Sequence, residues 1–137
     1  MGLKEKKRTR ITGFFVWLIA LGIILLSPAT GVETLTEEQK ELAITAIKGY
    51  AGVQDAAIGQ KGNDLSLAII AGYATNEEYA KELGDSFVRL VKTFGPEDPP
   101  GKEIGPGIYD YLIGVYRPNG ENIVLGAKVS GARKITW

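Results

Sequence analysis

The sequence contains neither cysteine nor histidine among its 137 residues. Without cysteine the protein has no disulfides, no thiolate nucleophile and no thiol for lipid attachment. Without histidine it lacks the commonest transition-metal ligand and the side chain that most often exchanges protons near neutral pH. These absences argue against zinc, haem and thiol chemistry. The sequence predicts no catalytic residue, no cofactor and no metal site.

Acidic side chains outnumber basic ones after the first ten residues. Residues 1–10 hold five basic side chains against one acidic side chain, a charge of +4, so the remainder carries −4 because the whole chain is neutral. A domain of that sign lacks the clustered lysine and arginine that phosphate contacts need, so no nucleic-acid partner is expected. A basic segment before an apolar one is typical of a cytoplasmic N-terminus, and residues 1–10 are predicted to be one.

Residues 11–26 form a long run without any charged side chain. Extended to residue 30, the run reaches about 20 residues, the length that crosses a bilayer. The sequence therefore predicts a transmembrane anchor or a signal peptide over 11–30 and an extracytoplasmic domain over 31–137. As an anchor, it makes a single-pass membrane protein. As a signal, it is cut after Ala29, because Ser27 and Ala29 supply the small residues that cleavage requires, and the protein is then secreted.

Two segments have the periodicity of amphipathic helices. Thr36 and Gln39 predict a capping box at the start of the first, and Thr75 and Glu78 predict another at the start of the second. Apolar residues then recur at intervals of three and four. The stripes expected to meet a sheet are Leu42, Ala46 and Ile47 in the first helix and Leu83, Phe87, Leu90 and Val91 in the second.

Four segments have the pattern of strands, namely residues 53–60, 65–71, 108–117 and 123–130. The first two flank a turn at 61–64, and the last two flank a turn at 118–120. The predicted order is α-β-β-α-β-β. This order indicates the α+β class: a two-layer α/β sandwich with a four-stranded, mainly antiparallel sheet and both helices on one face.

Residues 95–107 form a long loop rich in glycine and proline, which excludes a helix or a central strand. Glu97, Asp98 and Glu103 are its acidic residues. Carboxylates with backbone carbonyls can bind Ca²⁺, but the spacing of an EF-hand is missing. The preferred interpretation is a solvated loop without a metal.

The aromatic side chains are densest around the third strand. Tyr109 and Tyr111 share one face of that strand, and Tyr116 lies near its end. One interpretation is a half-buried sheet surface. The alternative is a contact patch of Tyr109, Tyr111 and Tyr116, because tyrosine is enriched at protein interfaces.

Residues 36–94 resemble BON-like and sporulation-lipoprotein-type modules of bacterial envelopes. The resemblance consists of a helix, then GVQDAAIGQKGNDLSLAIIAG as a hairpin, then NEEYAKELGDSFVRLVKTF as a charged amphipathic helix. It implies an envelope location and roles in membrane association, in pore or ring assembly, or in spore-coat biology. The chain lacks a lipobox cysteine, and it adds a proline-rich loop and a further hairpin. No functional residue is therefore transferred.

The expected function is that of a non-catalytic module that binds or scaffolds envelope proteins, including itself, and that contacts the membrane through residues 11–30. An alternative is a module that binds a small ligand or a lipid headgroup through the long loop and the tyrosines. An enzyme ranks last, because no set of side chains in the sequence has the pattern of an active site.

Overall fold

The structure is a computed structural model, and it describes residues 33–137. Two helices and four strands follow in the predicted order: α1 Glu37–Lys48, β1 Val53–Lys61, β2 Asp64–Ala71, α2 Glu77–Phe94, β3 Asp110–Tyr116 and β4 Asn122–Lys128. The basic segment 1–10, the anchor or signal peptide 11–30 and the cut after Ala29 lie outside the described residues. Within residues 33–137, no helix combines the length and the apolar character needed to cross a membrane.

The four strands form one mixed sheet in the order β1-β2-β3-β4. The outer pairings, β1 with β2 and β3 with β4, are antiparallel, whereas β2 and β3 run parallel at the centre. The α+β sandwich is therefore confirmed, and it contains one parallel pairing that was not predicted. The pairing is parallel because α2 acts as a crossover and returns the chain to the end of the sheet where β2 began.

Both helices begin at polar caps. Thr36 and Gln39 form the predicted capping box: Gln39 N donates to Thr36 Oγ1 at 3.0 Å, and Thr36 N donates to Gln39 Oε1 at 2.9 Å. The prediction for α2 was wrong by one residue, since the cap is Asn76 and not Thr75. Asn76 Oδ1 accepts from Tyr79 N at 2.8 Å. A cap of this kind contributes about 1 kcal/mol.

The main core lies between the helices and one face of the sheet. The stripe of α2 packs into it as predicted, but in α1 Leu42 is exposed and its neighbour Ala43 is buried instead. Each large apolar side chain that is fully buried contributes about 1.5–3 kcal/mol. The fully buried apolar residues include Ile47, Leu65, Leu67, Ile69, Leu83, Phe87 and Ile113.

The last residues pack back onto α2 and β4. Thr136 N donates to Ala127 O at 2.8 Å, and Ala127 N donates to Thr136 O at 2.9 Å. The ring of Trp137 fills the space beside Gly84 and Gly126, where an added Cβ would lie only 2.5 Å from the ring. A glycine within α2 costs about 1 kcal/mol of helix propensity. The close approach of the Trp137 ring explains why residue 84 is nevertheless a glycine.

Candidate functional site

The three tyrosines of the predicted contact patch do not share a surface. Tyr109 and Tyr111 are buried in the main core, with their rings edge to face and the ring centroids 6.4 Å apart. Tyr116 lies on the other side of the sheet, where it packs against Ala68 and Ile70. Side chains alternate between the two faces of a strand, and residue 116 is an odd number of positions away from the other two. The structure therefore divides the patch between the core and the opposite face.

Glu97 is the acceptor that holds the two buried tyrosines. Its Oε2 accepts from Ile108 N at 2.7 Å and from Tyr109 N at 3.2 Å. Its Oε1 accepts a short hydrogen bond from the Tyr111 hydroxyl. The carboxylate, only 7 % exposed, thereby ties the start of the long loop to the start of β3. The sequence predicted a solvated loop, and Glu97 departs from that prediction because three donors surround it.

Burial raises the pKa of both tyrosines. Desolvation is the largest cause, and the neighbouring Glu97 adds to it. Together they raise the pKa of Tyr109 to about 12 and move the pKa of Tyr111 in the same direction. Both phenols therefore keep their protons at neutral pH. They act as hydrogen-bond donors and not as bases.

Lys92 lies on the buried side of α2 and holds the long loop. Its buried ammonium group donates to Pro106 O at 2.9 Å and to Gly105 O at 3.3 Å. One turn earlier, Arg89 donates to the carbonyls of residues 101 and 102 at 2.9 and 3.0 Å. Two cations of one helix thus satisfy four carbonyl groups of a loop that has no regular secondary structure.

Lys128 is buried at the end of β4, with its Nζ 5.9 Å from the centroid of the Tyr111 ring. Burial and then the charge of Lys92 lower the pKa of Lys128, while Glu97 and Asp110 oppose the shift. A lysine with a lowered pKa can act as a base or a nucleophile where a substrate reaches it. Lys128 is almost completely enclosed, so its contact with the ring stabilises the core instead.

The three acidic residues of the loop do not converge to form a metal site. Glu97 points inward, Asp98 lines a surface groove, and Glu103 pairs with Arg133 at 3.0 Å and with Lys134 at 3.5 Å. Within the part of the chain that the structure describes, no group of three possible ligands is close enough to hold a metal ion.

We call that surface feature the loop groove. It is a cavity of about 840 Å³ between the long loop and the C-terminal segment. Its charged lining residues are Lys92, Asp98, Lys102, Glu103, Arg133 and Lys134. The sequence showed no sign of the groove, because residues 133 and 134 reach the loop only through the fold.

The second surface feature, here called the open face, consists of Leu112, Leu125, Ala127 and Val129. These residues lie on the side of β3 and β4 that points away from the helices. Leu112 stands opposite Ala127 in the sheet register, and Leu112, Leu125 and Val129 are 49 %, 53 % and 62 % exposed. No helix among residues 33–137 covers this side of the sheet.

A shallow depression of about 270 Å³ adjoins the open face, and Leu112 belongs to both. Ser66 lies in it, and its charged lining residues are Lys61, Asp64 and Asp110. Asp110 is partly engaged, since its Oδ1 accepts from Ser130 N at 2.7 Å. An apolar surface with a mixed-charge border results.

The chain matches no protein-family model, no curated protein and no solved structure. The resemblance of residues 36–94 to BON-like and sporulation-lipoprotein-type modules therefore stays a prediction.

Proposed function

We propose that the chain is a membrane-tethered extracytoplasmic module without catalytic activity, and that it contacts another protein through the open face. The observation that supports this most is the exposure of Leu112, Leu125 and Val129 on one side of a sheet whose other side carries both helices. Contiguous apolar surface of this kind marks interaction sites on folded domains.

Burial of the open face by a partner protein is favourable in free energy. The helices bury one side of the sheet, and the β3–β4 half of the other side has no second layer among the described residues. A partner that buries about 300 Å² of apolar surface here gains about 7 kcal/mol before the costs of association. A standard interface buries about 800 Å² on each partner, enough to include the adjoining depression.

The border of the open face predicts the character of the partner. Asp64 is exposed beside Leu112, and Asp110 and Lys61 are half-buried. Charges at the border of an interface steer association and fix its register more than they add affinity. We expect an apolar partner surface with basic residues at one margin.

The membrane part of the proposal is supported by the sequence of residues 1–30. The structure adds where the chain enters the domain: Glu33 O accepts from Tyr109 Oη at 2.6 Å and from Gln60 Nε2 at 3.0 Å. The entry point is thus joined to β1 and to the start of β3. These are the same ends of the strands that carry the depression beside the open face.

Photo-crosslinking in the native host tests the contact surface. A photoreactive amino acid at Leu125 of the full chain should yield adducts of one defined mass. The same amino acid at Leu42, which is 46 % exposed on α1, should yield none. An adduct of twice the chain's mass identifies a second copy, and any other mass identifies a different protein. Equal crosslinking at both positions, or none at Leu125, contradicts the proposal.

The tether is tested separately. Recovery of the full chain from carbonate-washed membranes with its N-terminus intact indicates an anchor, and a chain that begins at Thr30 indicates a cleaved signal. Recovery of the intact chain from the cytosol contradicts both interpretations.

A further inference from the structure

The loop groove concentrates positive charge on a domain that is otherwise acidic. Residues 33–137 carry eleven basic and fifteen acidic side chains, a charge of −4. Four of those basic side chains but only two of the acidic ones line the groove. The groove therefore carries +2 while the rest of the domain carries −6. The sequence does not reveal this asymmetry. The earlier expectation that phosphate contacts are absent rested on the net charge of the domain alone.

The cationic side chains at the mouth of the groove have hydrogen-bond donors that a ligand can use. Arg133 binds Glu103 through Nε, and among the described residues its two terminal nitrogens have no acceptor. Lys134 reaches the other oxygen of Glu103 at 3.5 Å. Lys102 forms no ion pair within residues 33–137. The side chains of Arg133 and Lys134 are about three-quarters exposed, so a ligand from solution can reach them.

The walls of the groove are held by the domain itself. Arg89 and Lys92 bind carbonyls at both ends of the 101–106 segment. Gly105 N also donates to Arg133 O at 3.0 Å, which fixes the loop to the segment that carries the cations. A site that is shaped before its ligand arrives loses less free energy on binding.

We propose that the loop groove binds a phosphate group, either of a small soluble molecule or of a lipid headgroup, and that Arg133, Lys134 and Lys102 contact its oxygens. The planar guanidinium of Arg133 suits two oxygens of one phosphate. The volume of the loop groove lies within the range of small-molecule sites, roughly 300–1,000 Å³. The proposal does not depend on the open face, because the two surfaces share no residue.

Glu103 occupies the place of the anion when no ligand is bound. Its hydrogen bond from Arg133 and the charges of Arg133 and Lys134 hold the pKa of this carboxyl below its usual value, against a smaller opposing contribution from desolvation. Exposed pairs of this kind contribute little free energy, so a phosphate with more charge and more acceptors displaces the carboxylate.

Titration of inorganic phosphate into the ¹⁵N-labelled full chain, kept in an uncharged detergent, tests the site. We expect saturable shifts in the amide signals of residues 101–105 and 132–134, and no comparable change with chloride at equal ionic strength. Arg133→Gln and Lys134→Gln should each weaken binding about fivefold. Glu103→Gln should strengthen it by removing the competing charge.

Lys81→Gln is the matched control, because Lys81 is a surface lysine paired with Glu77 at 3.6 Å, much as Lys134 is paired with Glu103. It should leave phosphate binding unchanged. Equal weakening by Lys81→Gln and Lys134→Gln overturns the proposal, and so does weaker binding by Glu103→Gln or the absence of a saturable shift.

Bilayers distinguish the source of the phosphate. In uncharged bilayers and in bilayers that contain phosphatidylglycerol, the same amide signals are compared before and after inorganic phosphate is added. Shifts caused by phosphatidylglycerol, with no further change on adding phosphate, identify a headgroup. Shifts caused only by inorganic phosphate identify a soluble ligand. The detergent measurement does not require an anchor, so its failure is distinct from failure of the membrane tether.

Discussion

Glu97 and Glu103 stand six residues apart in one loop, yet the fold gives them opposite surroundings. Glu97 is 7 % exposed and accepts from two main-chain amides and a tyrosine hydroxyl. The Glu103 side chain is 37 % exposed and pairs with two exposed cations, Arg133 and Lys134. The same carboxylate group thus fastens the loop at one position and balances surface charge at the other.

Burial decides whether a charge stabilises the fold or stays available to a ligand at the surface. When a buried acceptor is removed, its donors are left without partners, and each unpaired donor lowers the free energy of unfolding by about 1–3 kcal/mol. A surface pair that is broken lets both partners return to water, at a cost of about 0–1 kcal/mol. Stability is therefore expected to depend on Glu97, while ligand binding is expected to depend on the surroundings of Glu103.

Glu97→Ala is expected to cause the largest effect. It deprives the amides of Ile108 and Tyr109 and the hydroxyl of Tyr111 of their acceptor, so the free energy of unfolding should fall by about 3–5 kcal/mol, near the lower end of the summed cost of three unpaired donors. Urea unfolding of the full chain, followed by circular dichroism, measures the change.

Glu97→Gln is the matched control, because the amide keeps the shape and one acceptor oxygen. It should lose less stability than Glu97→Ala. If Glu97→Ala stays within about 1 kcal/mol of the wild type, below the cost of one unpaired buried group, the hydrogen bonds of Glu97 do not hold the loop.

Tyr109, whose main-chain amide binds Glu97, makes the stability of the domain depend on alkaline pH. Its pKa is about 12 in the folded protein, above the usual value of 10. Stability from the neutral phenol is therefore complete below pH 10 and is lost as the pH rises from 10 towards 12, because the unfolded chain ionises first. Relative to Tyr109→Phe, the wild type should lose at most about 1.4 kcal/mol per pH unit in that window. Urea unfolding at several pH values measures the difference, and parallel curves would contradict it.

Local pattern was sufficient for much of the fold. The capping box of α1, the apolar stripe of α2 and both hairpins depend on residues close in sequence, and the structure contains them. The parallel pairing of β2 with β3 could not be predicted in this way, because strand order depends on where the crossover helix packs. Leu42 was misplaced because Leu42 and Ala43 are adjacent, and either one fits an apolar stripe of so short a helix.

The polar sites depended on contacts between distant residues. Glu97 was assigned to solvent because its donors belong to residues 108–111, which the sequence separates from it by a glycine- and proline-rich loop. The sequence did contain one signal for Lys92: it continues the line of Gly84 and Val88 at intervals of four along α2, and so falls on the buried side of that helix. The open face follows from strand alternation in principle, but its exposure depends on which side of the sheet the helices cover.

Glu103→Ala should produce the smallest effect and complete the comparison. Its partners Arg133 and Lys134 are exposed, so each is rehydrated when the carboxylate is removed. Among these variants it should change the free energy of unfolding least in urea, and the change should shrink further in high salt, where surface pairs are screened. A loss of stability as large as that of Glu97→Ala would mean that Glu103 holds the loop as Glu97 does. The carboxylate would then not be free to give way to a phosphate.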